Sequence, residues 1–175
     1  MKKVNILILL FFLVGCSSTT NFTQGLRKEI EEVGVSLKNI QYYTDNEIVL
    51  YRELESGNTS VTSGKVKIEK GKYIHYIVIP DNTPGVCMYY DEESLRILFE
   101  AGSENYLKYE SPENLKDKYR LRANIGLKSI IYDGKVYTIK SGNYSGLVVK
   151  NSILNKIDVE KKRLKGVRLE SNQMW

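Results

Sequence analysis

Chemistry in this 175-residue chain has few side chains to draw on: one histidine, His75, and two cysteines, Cys16 and Cys87. A thiol activated by an imidazole is the sharpest enzymatic arrangement these residues allow, and it would pair Cys87 with His75. Strand register decides whether the two can meet. Lys65-Val66-Lys67-Ile68 alternates strictly, and Lys70-Gly71 fits a two-residue hairpin loop leading into residues 73–79. That register sets Ile68 opposite Tyr73 and Val66 opposite His75. Val66, Ile68, Tyr73, His75, Ile77 and Ile79 then share one face, with Lys65 and Lys67 on the other. The apolar face should turn inward and carry the histidine with it. Tyr73, His75 and Ile77 are therefore the candidates for facing a ligand; the competing reading is a core histidine satisfied by a tyrosine or the backbone. If the loop at 80–85 joins adjacent strands, Ile79 lies opposite Val86 and Val78 opposite Cys87. His75 and Cys87 then occupy opposite faces of one sheet, although a slip of one residue would reverse this. Cys87 otherwise reads as a small buried hydrophobe.

Other chemistry finds no pattern. One histidine and so few thiols provide no zinc-ligand spacing. Asp91-Glu92-Glu93 falls in a turn and lacks the alternating carboxylates around a glycine that a calcium loop requires. There is no serine elbow, phosphate-cradling glycine loop or dinucleotide fingerprint. Any two carboxylates could meet as a glycosidase pair, but the sequence singles out none. No catalytic residue, metal or cofactor is assigned.

The elements that must position these residues are short and mostly extended. Residues 24–33 have helical periodicity: Leu26, Ile30 and Val33 recur at spacings of four and three, Arg27, Lys28, Glu29, Glu31 and Glu32 cover the other face, Thr23 can cap the start and Gly34 can stop the end. After Gly34 the period changes to two. Segments 40–43, 48–54, 65–68, 73–79, 86–90, 95–99, 106–109, 129–132, 135–139, 146–149, 153–159 and 163–169 read as strands. Asp133-Gly134 is the strongest hairpin signal among them, and residues 113–119 fit either a helical turn or a loop. So many short strands without long crossovers predict a mainly β fold: an antiparallel meander forming a closed or nearly closed barrel or rolled sheet, with one short N-terminal helix.

The first sixteen residues carry a different message. Lys2 and Lys3 precede an apolar run over 4–14, and Gly15 stands before Cys16, which is the layout of an export signal. Leu13-Val14-Gly15-Cys16 resembles the lipobox of bacterial lipoproteins. That resemblance implies cleavage before Cys16 and acylation of its thiol, with removal of residues 1–15, a lipidated tether at 16–23 and a single β-rich domain at 24–175. Three acyl chains, the number the diderm form of the class implies, exceed the two hydrophobic signals that stable attachment needs. Ser17 in place of aspartate, and the lack of acidic residues in Ser17-Ser18-Thr19-Thr20, imply sorting to the periplasmic face of an outer membrane.

Loss of the leader removes Lys2 and Lys3, so the net charge falls from +5 to +3, too little for a nucleic-acid-binding surface. With Cys16 acylated, Cys87 has no intramolecular disulfide partner. Thirteen tyrosines against four phenylalanines and one tryptophan are the unusual feature of the composition. Tyr42-Tyr43 and Tyr89-Tyr90 must each send one ring away from its neighbour, and a ring with a hydroxyl at its tip suits glycan or amphiphile contact as well as strand packing. Lys161, Lys162, Arg163, Lys165 and Arg168 could touch anionic headgroups or cell-wall polymer, or protect an edge. The sequence thus points to a non-catalytic, lipid-anchored envelope protein that binds a protein partner or a cell-wall component. The alternatives are a lipocalin-like carrier of a small amphiphile and a cell-wall hydrolase.

Overall fold

The computed structural model describes residues 18–55, 64–102, 104–111, 118–124 and 128–159. The cleavage point, Cys16, most of the segment at 113–119 and the expected strand at 163–169 lie outside the described residues. The helix expected at 24–33 forms as α1, Gln24–Glu32. Thr23 caps it by accepting from the Leu26 amide at 3.1 Å, which satisfies one of the donors a helix start leaves open. The chain leaves it through Gly34 at φ +79°, a conformation that favours glycine.

Beyond α1 the fold is mainly β, in two antiparallel sheets. In spatial order the larger holds β1 (Thr19–Asn21), β12 (Leu147–Lys150), β2 (Gln41–Thr44), β6 (Pro84–Tyr90), β7 (Ser94–Leu98), β8 (Tyr106–Glu110) and β9 (Arg120–Leu121). The smaller holds β10 (Ser129–Tyr132), β11 (Lys135–Ser141), β3 (Ile48–Glu53), β5 (Lys72–Ile79) and β4 (Lys65–Glu69). Both two-residue hairpins form where the sequence places them. Lys70 and Gly71 have φ values of 51° and 78°, and Asp133 and Gly134 have 51° and 64°, the paired positive dihedrals of the turn that matches strand twist. The β4–β5 ladder sets Ile68 opposite Tyr73 and Val66 opposite His75, as the turn dictates.

Four expectations differ from the structure in whole or in part. First, the mainly β, antiparallel class is as expected, and among the described residues the strands divide into two sheets around one core, neither of them closed into a barrel. Isolated bridges from Lys118 to Thr23 and from Arg120 to Gly146 do bring the β9 end of the larger sheet back toward its β1–β12 edge. Second, the segment at 80–83 does not join paired strands. Ile79 lies opposite Ile48 in one sheet, while Val86 lies between Gln41 and Leu98 in the other. Buried Thr44 pins that crossing: its hydroxyl donates to the Pro80 carbonyl at 2.8 Å and accepts from the Thr83 amide at 3.1 Å. Third, residues 153–159 belong to a helix, α2 (Asn151–Val159), and not to a strand. Ile153, Leu154 and Ile157 lie on one helical stripe and pack against the core. Fourth, part of the segment expected as a tether at 16–23 is ordered strand: residues 19–21 form β1, paired with β12.

Arg27 also departs from its expected solvent face. It is buried beneath α1, where it donates to the Tyr119 hydroxyl at 2.9 Å and the Glu92 carbonyl at 3.1 Å, pairs with Glu31 at 3.3 Å and lies over the Tyr90 ring. The Tyr119 hydroxyl in turn donates to the Gln24 side-chain oxygen.

Five tyrosines (Tyr42, Tyr109, Tyr119, Tyr132 and Tyr137) are among the largest fully buried side chains. Burial holds the Tyr42, Tyr109 and Tyr132 hydroxyls in their neutral form well above the usual phenol range. In the unfolded chain these phenols ionise near pH 10. Their contribution to stability is therefore complete below pH 10 and is lost as pH rises beyond it, at up to about 1.4 kcal/mol per pH unit for each ring. Cooperative base unfolding is expected above pH 10, with the buried rings gaining phenolate absorbance only as tertiary structure is lost. Equal titration of all thirteen tyrosines in the folded state would contradict this.

Candidate functional site

His75 is a core residue, only 3% exposed. Its Nδ1 lies 3.0 Å from the Tyr137 hydroxyl, which accepts from Arg52 Nε at 3.2 Å. With Arg52 donating to its oxygen, the Tyr137 hydroxyl still has a hydrogen that it can donate to Nδ1. Ile77 is buried beside it, whereas Tyr73, nearer the hairpin tip, is 38% exposed. The three residues expected to face a ligand are thus divided between core and surface. The inward positions around His75 and Ile77 are filled by Tyr132, Tyr137, Ile130, Leu50 and Ile139.

Cys87 belongs to the other sheet. His75 is on β5 and Cys87 on β6, so the sheet assignment separates them rather than the two faces of one sheet. The Cys87 thiol donates to the Tyr89 carbonyl at 3.2 Å, and burial pushes its pKa up to about 11. Such a thiol is protonated at neutral pH and is a poor nucleophile. In the folded Cys16→Ser protein, alkylation of Cys87 at pH 8 should be at least tenfold slower than in denaturant; equal rates would show the thiol accessible and ionised.

Asp91 closes the acidic turn by accepting from the Glu93 amide at 3.1 Å and from the Ser94 amide and hydroxyl, both at 2.8 Å. The Ser94 bond is the main cause holding its carboxyl below the ordinary range. These bonds use its oxygens for turn geometry. No group of three His, Cys, Asp or Glu side chains among the described residues could hold a metal ion.

The tyrosines explain the surface. The cation–π contacts among the described residues all fall on tyrosine rings. Tyr42 is buried while its neighbour Tyr43 lies under Lys150, and Tyr90 lies under Arg27 while Tyr89 faces out. Each adjacent pair splits between faces as strand geometry requires.

A cleft of about 460 Å³ opens between β8, the residues after β9, and β10. Alternation along β8 buries Leu107 and Tyr109 in the core and turns Tyr106, Lys108 and Glu110 outward. Arg122, Ala123 and Asn124 form the next wall because the Arg122 amide donates to the Lys108 carbonyl at 2.8 Å. Ile130 and Ile131 supply apolar lining. Glu110 takes Lys108 at 2.7 Å and Arg122 at 3.0 Å, so two cations share one carboxylate. Each pair is about 40% exposed on its basic side and adds little to stability.

Protein-family models, curated proteins and solved structures were compared with the chain, and none matches. The functional reading therefore rests on the leader in the sequence and on the geometry of the cleft.

Sequence inspection missed this cleft. Its one local signal is the outward alternation Tyr106, Lys108, Glu110; Arg122 and Asn124 arrive through a β9 pairing that no turn signal announces.

Proposed function

We propose that the mature chain is a non-catalytic protein of the cell envelope, anchored by lipid on Cys16 at the periplasmic face of an outer membrane, and that its β domain binds an envelope component at the Tyr106–Arg122 cleft. The observation that supports binding there is the combination of Tyr106, Asn124 and two cations sharing the one Glu110 carboxylate in a concavity large enough for a ligand. A rolled, nearly closed larger sheet belongs to this reading, and the bridges at Thr23 and Gly146 support it. The lipocalin-like carrier is disfavoured because the inward positions near His75 are occupied by side chains, and no specific observation favours a hydrolase.

The test is capture of a partner in native envelopes. Cross-linked, affinity-tagged mature protein should recover cell-wall glycan or an envelope protein, and Lys108→Glu with Arg122→Glu should reduce recovery by at least tenfold, about 1.4 kcal/mol. Recovery unchanged in the double variant, or absent from the wild type, would refute the site.

A further inference from the structure

On the outer face of the larger sheet, next to the cleft, lies a cation held in a way no other is among the described residues. The Arg96 guanidinium lies over two rings, 4.9 Å from the Tyr89 centroid and 5.2 Å from the Tyr106 centroid. It is half-buried, and among the described residues it makes no ion pair. Its lateral neighbours in the sheet are Tyr89 on β6 and Lys108 on β8, and Glu110, the nearest carboxylate in the row, is taken by Lys108 and Arg122. A guanidinium ordered by two ring faces has spent much of its conformational freedom already, and its edge donors remain available for a planar anion. An anionic ligand would therefore meet guanidinium donors that no carboxylate among the described residues occupies.

Tyr106 belongs both to this stack and to the cleft. Arg96, Lys108 and Arg122 therefore form one row across three strand positions, roughly 10 Å long at ordinary strand spacing. Tyr89, 46% exposed, and Val86, 47% exposed, flank it. The strands beneath, β6, β7 and β8, are interior to the sheet, so no unpaired backbone is offered for strand addition by a peptide. Recognition must come from side chains: guanidinium edges for carboxylates, and tyrosine faces for the apolar faces of sugar rings.

We propose that Arg96, lying over Tyr89 and Tyr106, is the anion-receiving subsite of a groove that binds a carboxylate-bearing glycan chain, one disaccharide spanning from Arg96 to the Arg122 cleft. This inference rests on the binding reading above and names its ligand class.

The experiment titrates the acylated full mature chain, in neutral detergent micelles, with oligogalacturonate, using maltohexaose and hexaglutamate as comparison probes. Oligogalacturonate should bind with an affinity that falls as salt rises. Arg96→Gln and Tyr89→Ala should each weaken it at least tenfold, while Arg96→Lys, which keeps the charge but loses the planar stack, should recover only part of the loss. Maltohexaose and hexaglutamate should each bind at least tenfold more weakly. Binding indifferent to Arg96→Gln overturns the subsite. Hexaglutamate binding as well as oligogalacturonate overturns the glycan assignment in favour of an acidic protein partner. If oligogalacturonate fails to bind while envelope capture still depends on Lys108 and Arg122, the ligand class is wrong and the binding function stands; if both fail, both fall.

Discussion

Replacing Asp45 with alanine should lower the stability of the domain by about 3 kcal/mol and its Tm by roughly 6–12 °C. The sequence around Asp45 reads as an ordinary turn, and in the fold it is a junction between distant segments. Its Oδ1 accepts from the Gly146 amide at 2.6 Å and the Ser145 hydroxyl at 3.3 Å, and its Oδ2 from Arg120 at 2.9 Å. Those partners lie 75 to 101 residues away in sequence. They join the start of β12 to β9, beside the bridge between Arg120 and Gly146. Both charged side chains are less than a quarter exposed, so water replaces the lost carboxylate poorly. Alanine would orphan a backbone donor at Gly146 and leave Arg120 with the Tyr144 carbonyl as its remaining partner. Asp45→Asn keeps the acceptor at Oδ1 and should cost about half as much. Arg120→Met should partly rescue Asp45→Ala, because it removes the uncompensated cation. Denaturant unfolding of the wild type, the two Asp45 variants, Arg120→Met and the double variant checks this; additive losses in the double variant would mean that Asp45 acts as a turn residue only.

That junction illustrates what could be read from residues and what could not. Two-residue turns fix register by themselves, so the Lys70-Gly71 and Asp133-Gly134 hairpins were legible down to individual pairs. The α1 boundaries were legible for the same reason, since Thr23 and Gly34 act within one turn of the helix. The crossing at 80–83 was not, because a longer loop bounds a distance and leaves the partner open. Which sheet β6 joins is decided by Thr44, nearly forty positions away, through bonds to Pro80 and Thr83. Residues 153–159 carry both periods at once: Ile153, Ile157 and Val159 suit a strand, while Ile153, Leu154 and Ile157 suit a helix. Packing against the core settles it. Arg27 misled because a helix-face argument knows only its own helix, and the Tyr119 hydroxyl that draws it inward is 92 residues distant. Of the candidate groove, the alternation that turns Tyr106 and Lys108 outward was legible. The stack of Arg96 over Tyr89 and Tyr106 needed the pairing of three strands.

Cys16→Ser should move the protein from the membrane pellet entirely into the soluble fraction, the largest single effect expected of any substitution. A single acyl chain binds a bilayer only marginally, at about 0.8 kcal/mol per buried methylene, and two or three chains make attachment effectively stable. No helix among the described residues is long and apolar enough to cross a membrane in their place. The fold adds a geometric consequence. β1 begins at Thr19, and the Ser18 carbonyl already accepts from the Asn151 amide at 3.0 Å. If Cys16 is acylated as proposed, three residue steps at full extension would place its Cα within about 10 Å of the β1–β12 edge. An anchor so short would hold one end of the domain against the headgroups, so cross-linkers on lipid headgroups should label Lys150 in the native protein. A twenty-residue Gly/Ser insert between Ser17 and Ser18 should abolish that labelling without releasing the protein. Mass spectrometry of the native product should find acylated Cys16 as its first residue. A Cys16→Ser protein that still sediments with membranes would remove the lipid anchor, and with it the physical reason for placing this domain at an envelope surface.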